Sequence, residues 1–263
     1  MPGIADYTFI RSLGSGNNGH FFLARRPPRL PVEVDYVAVK VFSAESTDAA
    51  FQRATRDLGA FATVHSPYLA TPYDAGRHDG VFYYAMEYLL EGSLEDAPEP
   101  VEPGRVQPAL AQAARGMAAL HQAGLVHRDI KPGNVLLHPD GGKLADPGLA
   151  HHFVEGVTVT GMGSLHTMQY TDPSILLGEL PSADSDIWSF GVLLHRVFAG
   201  TGVYQDLPRD DALLALRRIL STSPEIDQAL PVPVRDLITD CLRPAGRRPD
   251  ATAVADRLEA LPS

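Results

Sequence analysis

Cysteine is almost absent from this chain. Cys241 stands alone, so no intramolecular disulfide framework is available, and a lone thiol of this kind is expected as a small buried hydrophobe in a reducing compartment. Basic residues are also scarce. Lys and Arg number 22 against 32 Asp and Glu, a formal charge of −10, and no Lys/Arg block concentrates the positive charge, which excludes a sequence-independent nucleic-acid surface. Long apolar runs are missing too. The stretches "VFYYAMEYLL" and "IWSFGVLL" fall well short of the ~20 residues that cross a bilayer, and the start of the chain has no basic region leading into an apolar one. The expectation is a soluble cytoplasmic protein without membrane insertion. Internal repeats and low-complexity tracts are absent, and the Pro- and Gly-rich joints "RRPPRLP" and "APEPVEPG" read as surface loops.

What is present is apolar material, 44% of residues, enough for one large domain or two lobes sharing a cleft. The segments "YTFIRSL", "HFFLAR", "YVAVKVF" and "VFYYAMEY" are rich in aromatic and β-branched residues and bounded by Gly, Pro, Asn and Asp, so they predict strands. Only "DAAFQRATRDLGAFATV" interrupts them with a helical pattern. After Leu90, Val106, Leu110, Ala113, Met117 and Leu120 recur at three- and four-residue steps, one apolar face of a helix. Further helical runs follow at "SDIWSFGVLLHRVFAG", "DDALLALRRIL", "VRDLITDCL" and "ATAVADRLEAL". The pattern is α+β: a small β-rich lobe with one main helix over about 1–87, a hinge at about 87–91, and a larger α-helical lobe over about 92–263.

Three segments carry chemistry. "GSGNNG" places Gly14, Gly16 and Gly19 between two strands, which fits either an ordinary hairpin or a loop folded over phosphates; a dinucleotide fingerprint would run into a helix instead. Lys40, in the apolar run "YVAVKVF", belongs either at a sheet edge or facing an anionic ligand. The segment "LVHRDIKPGNVLLHPDGGKLADPGLA" packs His127, Arg128, Asp129, Lys131, Asn134 and Asp146 between hydrophobic runs. Asp-Pro-Gly by itself reads as a tight turn. Two acids and an amide separated by a hairpin, however, can converge on a divalent metal and a hydroxyl, with Asp146 and Asn134 as hard oxygen ligands and Asp129 free to act as a base.

Taken in order, these segments resemble the protein-kinase family over essentially the whole chain, from about residue 7 to residue 261. "HRDIKPGN" matches that family's catalytic loop, while "VAVK" and "GSGNNG" fall at its strand lysine and glycine loop. "SDIWSFGVLLHRVFAG" and "CLRPAGRRP" continue the pattern, and Lys131 points to the Ser/Thr branch, in the style of bacterial Ser/Thr kinases. The resemblance implies one bilobal, protein-kinase-like catalytic domain over 1–263 that uses ATP with Mg²⁺, or Mn²⁺ in its place, to phosphorylate a protein substrate the sequence does not name. A dimer or partner-protein complex stays open. In the implied roles Gly14, Ser15, Gly16, Asn17, Asn18 and Gly19 cover the phosphates, and Lys40 holds the α/β-phosphates. Ala38 and Leu136 sandwich the adenine, with Glu87 and Leu89 in the hinge and Met86 behind. Asp129 takes or orients the substrate proton, Lys131 steadies the γ-phosphate, and Asn134 and Asp146 bind the metal. His127, Asp186 and Arg248 are structural.

The sequence departs from the family at four places. Asp57 stands for the helix glutamate that pairs with the strand lysine, with less reach. Phe21 replaces a small valine and would narrow the adenine pocket or face the core. Ser174 replaces the glutamate that meets Arg248, so either another carboxylate or a looser segment is expected. Pro147 replaces the phenylalanine after the metal-binding acid, which removes an aromatic that joins the lobes and pushes Asp146 toward extended angles. The loop beyond holds Thr158 and Thr160 as implied phosphosites, Arg128 as their receiver, and Thr167 beside Asp129. The departures also admit an alternative, a pseudokinase that binds nucleotide or acts as a scaffold.

Overall fold

The computed structural model describes residues 3–16, 19–97, 101–153, 165–204, 207–208 and 211–262. The aromatic and β-branched runs pair into a five-stranded antiparallel sheet, β1 (Thr8–Gly16), β2 (Gly19–Arg25), β3 (Tyr36–Glu45), β4 (Pro72–His78) and β5 (Val81–Met86), in the order β1-β2-β3-β5-β4. Strand β3 is central, which disposes of the edge reading of Lys40: its register partners are Phe21 on β2 and Tyr84 on β5. The sequence reading missed β4. It is an edge strand, half-buried over most of its length, so it carries no apolar alternation to find.

Helix α1 (Asp48–Ala62) begins where the Thr47 hydroxyl accepts from the Ala50 N–H, and it buries Ala50, Ala54, Leu58 and Phe61 along one face. The second lobe follows the helical periodicity. It contains α2 (Pro103–Gln122), a hairpin of β6 (Val135–His138) and β7 (Gly141–Leu144), the short α3 (Leu165–Met168) and α4 (Pro173–Leu176), then α5 (Ala183–Ala199), α6 (Ala212–Ser221), α7 (Val232–Cys241) and α8 (Ala251–Glu259). Leu110, Met117, Leu120, Phe190, Leu193 and Ile238 are wholly buried in one core between α2, α5, α7 and α8. Cys241 lies in that core as an apolar group, its thiol pushed by burial up to about 12.

The hairpin ties the lobes together. The Ala70 N–H donates to the Leu144 carbonyl at 2.9 Å and the Leu144 N–H to Tyr68 at 2.9 Å, while Leu137 bonds Gly92 at 2.8 Å just past the hinge. Residues 134 and 146, at the two ends of this hairpin, are thereby brought under the first sheet. Among the described residues no helix is long and apolar enough to cross a membrane.

Candidate active site

One buried carboxylate shapes the loop after α2. Asp186, on α5 and 1% exposed, accepts from the backbone N–H groups of His127 at 2.7 Å and Arg128 at 2.9 Å and faces His121 Nε2 at 2.9 Å. These bonds hold Arg128 at φ +71°, a left-handed angle that costs a non-glycine residue about 1–2 kcal/mol. His127 is fully buried, its Nε2–H donating to the Ala145 carbonyl at 3.0 Å; burial lowers its pKa against the pull of the nearby acids, so the ring is neutral. Asp129 follows, with Oδ2 accepting from Lys131 Nζ at 2.9 Å and from Asn134 Nδ2 at 3.0 Å. Asn134 also donates to the Asp129 carbonyl at 2.6 Å, which closes the loop on itself. Burial works against the Lys131 charge, but Asp129 and Asp146 outweigh it and its pKa is raised.

Asp146 is 3% exposed and lies against Lys40, whose Nζ reaches its two oxygens at 2.7 and 2.6 Å; Lys40 itself is 2% exposed. The Tyr84 hydroxyl donates to the same carboxylate in a short hydrogen bond. Burial alone would raise the Asp146 pKa, yet the Lys40 and Lys131 charges and the two donors bring it below the ordinary value. Burial and the adjacent anion push Tyr84 far up, so it remains a donor. Against expectation, Asp146 is not extended: its φ is +57°. The carboxylate's buried partners override the proline's local preference. The turn that follows is tighter than a four-residue one. Gly148, at φ −66° and ψ 69°, lets the Leu149 N–H reach the Pro147 carbonyl at 2.7 Å, an inverse γ-turn. A Cβ on Gly148 would lie 2.9 Å from the Arg128 Cβ, so only glycine lets the two loops touch.

Asp57 does not meet Lys40. Its carboxylate accepts from Arg128 Nη1 at 3.0 Å and His152 Nε2 at 2.9 Å, because Asp146 and Tyr84 already surround the lysine and the shorter acid finds nearer donors. The aromatic missing at Pro147 is made up by Phe153, whose ring lies 5.1 Å from Phe82 and 4.7 Å from Phe42 in the sheet. Phe21 faces the site: its ring lies 5.0 Å from Lys40 Nζ, against the Gly16 backbone. Arg248 has its alternative carboxylate. It pairs with Asp172, the N-cap of α4, and with Asp184 at 3.1 Å.

A cavity of about 390 Å³ opens between the lobes, lined by Gly14, Ser15, Gly16 and Phe21 of the first two strands and by Ala38, Met86, Glu87, Leu89 and Leu136. Lys131, Asn134, Asp146 and Thr167 also line it. Gly16 and Gly19 face each other across the β1–β2 turn. Asn17, Asn18, Thr158 and Thr160 lie outside the described residues. Glu87 anchors the hinge: its carboxylate takes Lys143 at 2.7 Å and its N–H donates to Thr71 at 2.8 Å. Sequence reasoning missed Tyr84, Phe153, Asp172 and the pair His151 and His152. A strand position opposite Lys40 and a carboxylate two residues before Ser174 were the available signals for two of them. The acids and the amide around Asn134 offer oxygen donors in one buried cluster, a set that fits Mg²⁺.

Comparison with known proteins agrees with this arrangement. The family model described as "Protein kinase domain" matches residues 7–256. The chain is 32% identical over 206 residues to the serine/threonine-protein kinase PknJ of Mycobacterium tuberculosis, covering 74% of this chain and 34% of that protein. It is 31% identical over 247 residues to the probable serine/threonine-protein kinase PkwA of Thermomonospora curvata, covering 91% and 32%. It is 31% identical over 272 residues to the drp72 serine/threonine-protein kinase of Corynebacterium efficiens, covering 97% and 51%. The chain thus spans about a third to a half of the length of these relatives.

Proposed function

The chain belongs to the protein kinase family, with bacterial Ser/Thr kinases among its relatives, and from that premise we propose that it transfers the γ-phosphate of ATP to serine or threonine hydroxyls of a protein substrate. The observation that carries the reading is the buried cluster of Asp129, Lys131 and Asn134, braced by Asp186, with Lys131 and Asn134 among the residues that line the inter-lobe cavity.

In this reading the adenine lies between Ala38 and Leu136, with the hinge carbonyl of Glu87 and the backbone of Leu89 as its polar partners. The glycine turn covers the phosphates. Lys40 leaves Asp146 for the α/β-phosphates, Lys131 holds the γ-phosphate, and Asp129 receives the proton of the attacking hydroxyl. Asp146 and Asn134 hold Mg²⁺ or Mn²⁺, which supplies neutralisation of the phosphate charge. The chain's own part is placement and a preorganised field. The segment that contains Thr158 and Thr160 is the proposed target of autophosphorylation, with Arg128 as phosphate receiver and Thr167 near the acceptor. An acidic protein favours basic targets, and a cytoplasmic kinase catalytic domain over 1–263, as a dimer or in complex with a partner protein, completes the reading.

One observation favours a second reading. Lys40, Asp146 and Tyr84 close on one another while Asp57 is committed elsewhere, the state of a module that holds nucleotide without transferring phosphate. Labelled ATP with Mg²⁺ or Mn²⁺ and a basic protein substrate separates the two. Wild type is expected to transfer label and Asp129→Asn to lose roughly 10²–10⁴-fold while still binding ATP. Nucleotide binding by wild type with no transfer selects the module.

A further inference from the structure

A second polar cluster lies outside the cavity, between α1 and the 3-10 turn Leu149–His152 that follows the Asp-Pro-Gly segment. Asp57, His151 and His152 each offer one ligand atom there, all within 4.8 Å of one another. The orientation of His151 is fixed. A carbonyl only accepts, so the 2.6 Å contact between His151 Nδ1 and the Gly148 oxygen places the ring proton on Nδ1 and leaves Nε2 as a lone pair. That lone pair faces Arg128 Nη1 at 3.0 Å, and the same guanidinium nitrogen donates to Asp57 Oδ2 at 3.0 Å. His152 Nε2 meets this oxygen at 2.9 Å. A cation is therefore already held by an imidazole lone pair and a carboxylate, with a second imidazole adjoining them.

We propose that Asp57, His151 and His152 form a binding site for a divalent transition-metal ion of the zinc class, which displaces the Arg128 guanidinium and fastens α1 to the turn beyond Asp146. Two imidazoles and one carboxylate are the donors that zinc, cobalt and nickel take and that Mg²⁺ does not prefer. His151 already presents a lone pair to a cation and Asp57 already accepts from two donors, so a metal ion meets ligand atoms that face it. The bond from His151 to Gly148 is the outer-shell contact that ligating histidines use to hold their ring. His152 Nε2, whose proton faces the Asp57 carboxylate, ligates once that proton has moved to Nδ1, so no net proton is released. Ligand atoms on a tetrahedral ion stand roughly 3.3 Å apart. The Asp57–His152 pair opens slightly, and the exposed His151 closes the rest. Arg128, 35% exposed, swings outward as a doubly charged ion takes its place.

The test reads metal binding and not phosphotransfer. Co²⁺ is titrated into the tag-free chain in excess Mg²⁺ while visible absorption is followed, and Zn²⁺ is added to displace it. Wild type is expected to bind one equivalent. His151→Ala and Asp57→Asn should each weaken binding at least about tenfold. Arg128→Ala should tighten it by removing the competing cation, and Asp146→Asn should leave it unchanged. Absence of saturable one-equivalent binding, indifference to His151→Ala, loss in Asp146→Asn, or no tightening in Arg128→Ala overturns the proposal. Should Asp57→Asn melt early in chelator, the exposed His151 variant decides.

Discussion

A buried carboxylate that loses a donor stays charged only at the expense of stability, and Asp146 takes one of its hydrogen bonds from Tyr84. Tyr84→Phe removes that donor and leaves the ring volume. Urea unfolding should show a loss of roughly 1.5–3 kcal/mol, the range for hydrogen bonds to charged groups. A loss within error would mean that Lys40 alone holds the acid. His127 supplies the matching test in pH. Burial is the leading cause of a folded pKa below its ordinary 6.5, so the unfolded chain binds more protons once pH falls beneath that value. The contribution is complete above 6.5 and is lost as pH falls through the folded value. In chelator, the unfolding free energy of wild type should fall between about pH 7.5 and about pH 5, and His127→Gln, which keeps a donor but does not ionise, should flatten part of that fall. A slope identical in the variant would remove His127 as its source.

At the scale of elements, the ends of helices carry interactions that periodicity does not announce. Arg248 is buried to 3% side-chain exposure between Asp172, the cap of α4, and Asp184, in the first turn of α5. Asp172→Asn strips the nearer charge from a buried guanidinium. The expected cost is about 3–5 kcal/mol, moderated by Asp184, whereas Ser174→Ala should stay within ~0.5 kcal/mol because Arg248 does not depend on that side chain. Denaturant midpoints of the two variants check this, and equal losses would refute it. The strands β1, β2, β3 and β5 were legible because they are rich in aromatic and β-branched residues, and the longer helices because burying one face imposes a period on their sequences. Strand β4 was not, because its sequence PYDAGRH holds one aromatic and no β-branched residue. The catalytic segment was legible as residue types and Asp186 as the acid that braces it, whereas Arg248 was legible as a position but not its carboxylate partners. Asp57 was placed on α1 correctly, yet its partner depended on Asp146 and Tyr84 reaching Lys40 first, a matter of strand register. Proline chemistry alone gave the wrong angle for Asp146, because three buried side chains outweigh one local preference.

Across the whole molecule, charge in the cavity region is balanced before any ligand enters. Lys40 is paired with Asp146 and Lys131 with Asp129, and the two lobes meet through this polar layer and through Phe153 against the sheet. Polyphosphate alone would enter facing two carboxylates whose cations are already engaged. A divalent ion changes that balance by taking up carboxylate charge and freeing Lys40 for phosphate. ATP with Mg²⁺ should therefore stabilise the fold far more than ATP with chelator. At about a hundred times its Kd the complex gains about 2.7 kcal/mol by mass action, which for a chain of this size is a rise in Tm of roughly 5–10 °C. Chelator should remove most of the rise, and Lys40→Met should lose most of it even with the metal present. Equal rises with and without Mg²⁺, in wild type scanned at one rate and one ATP concentration, would show that the carboxylates do not oppose the phosphates and that the balance of Lys40 and Asp146 does not govern entry.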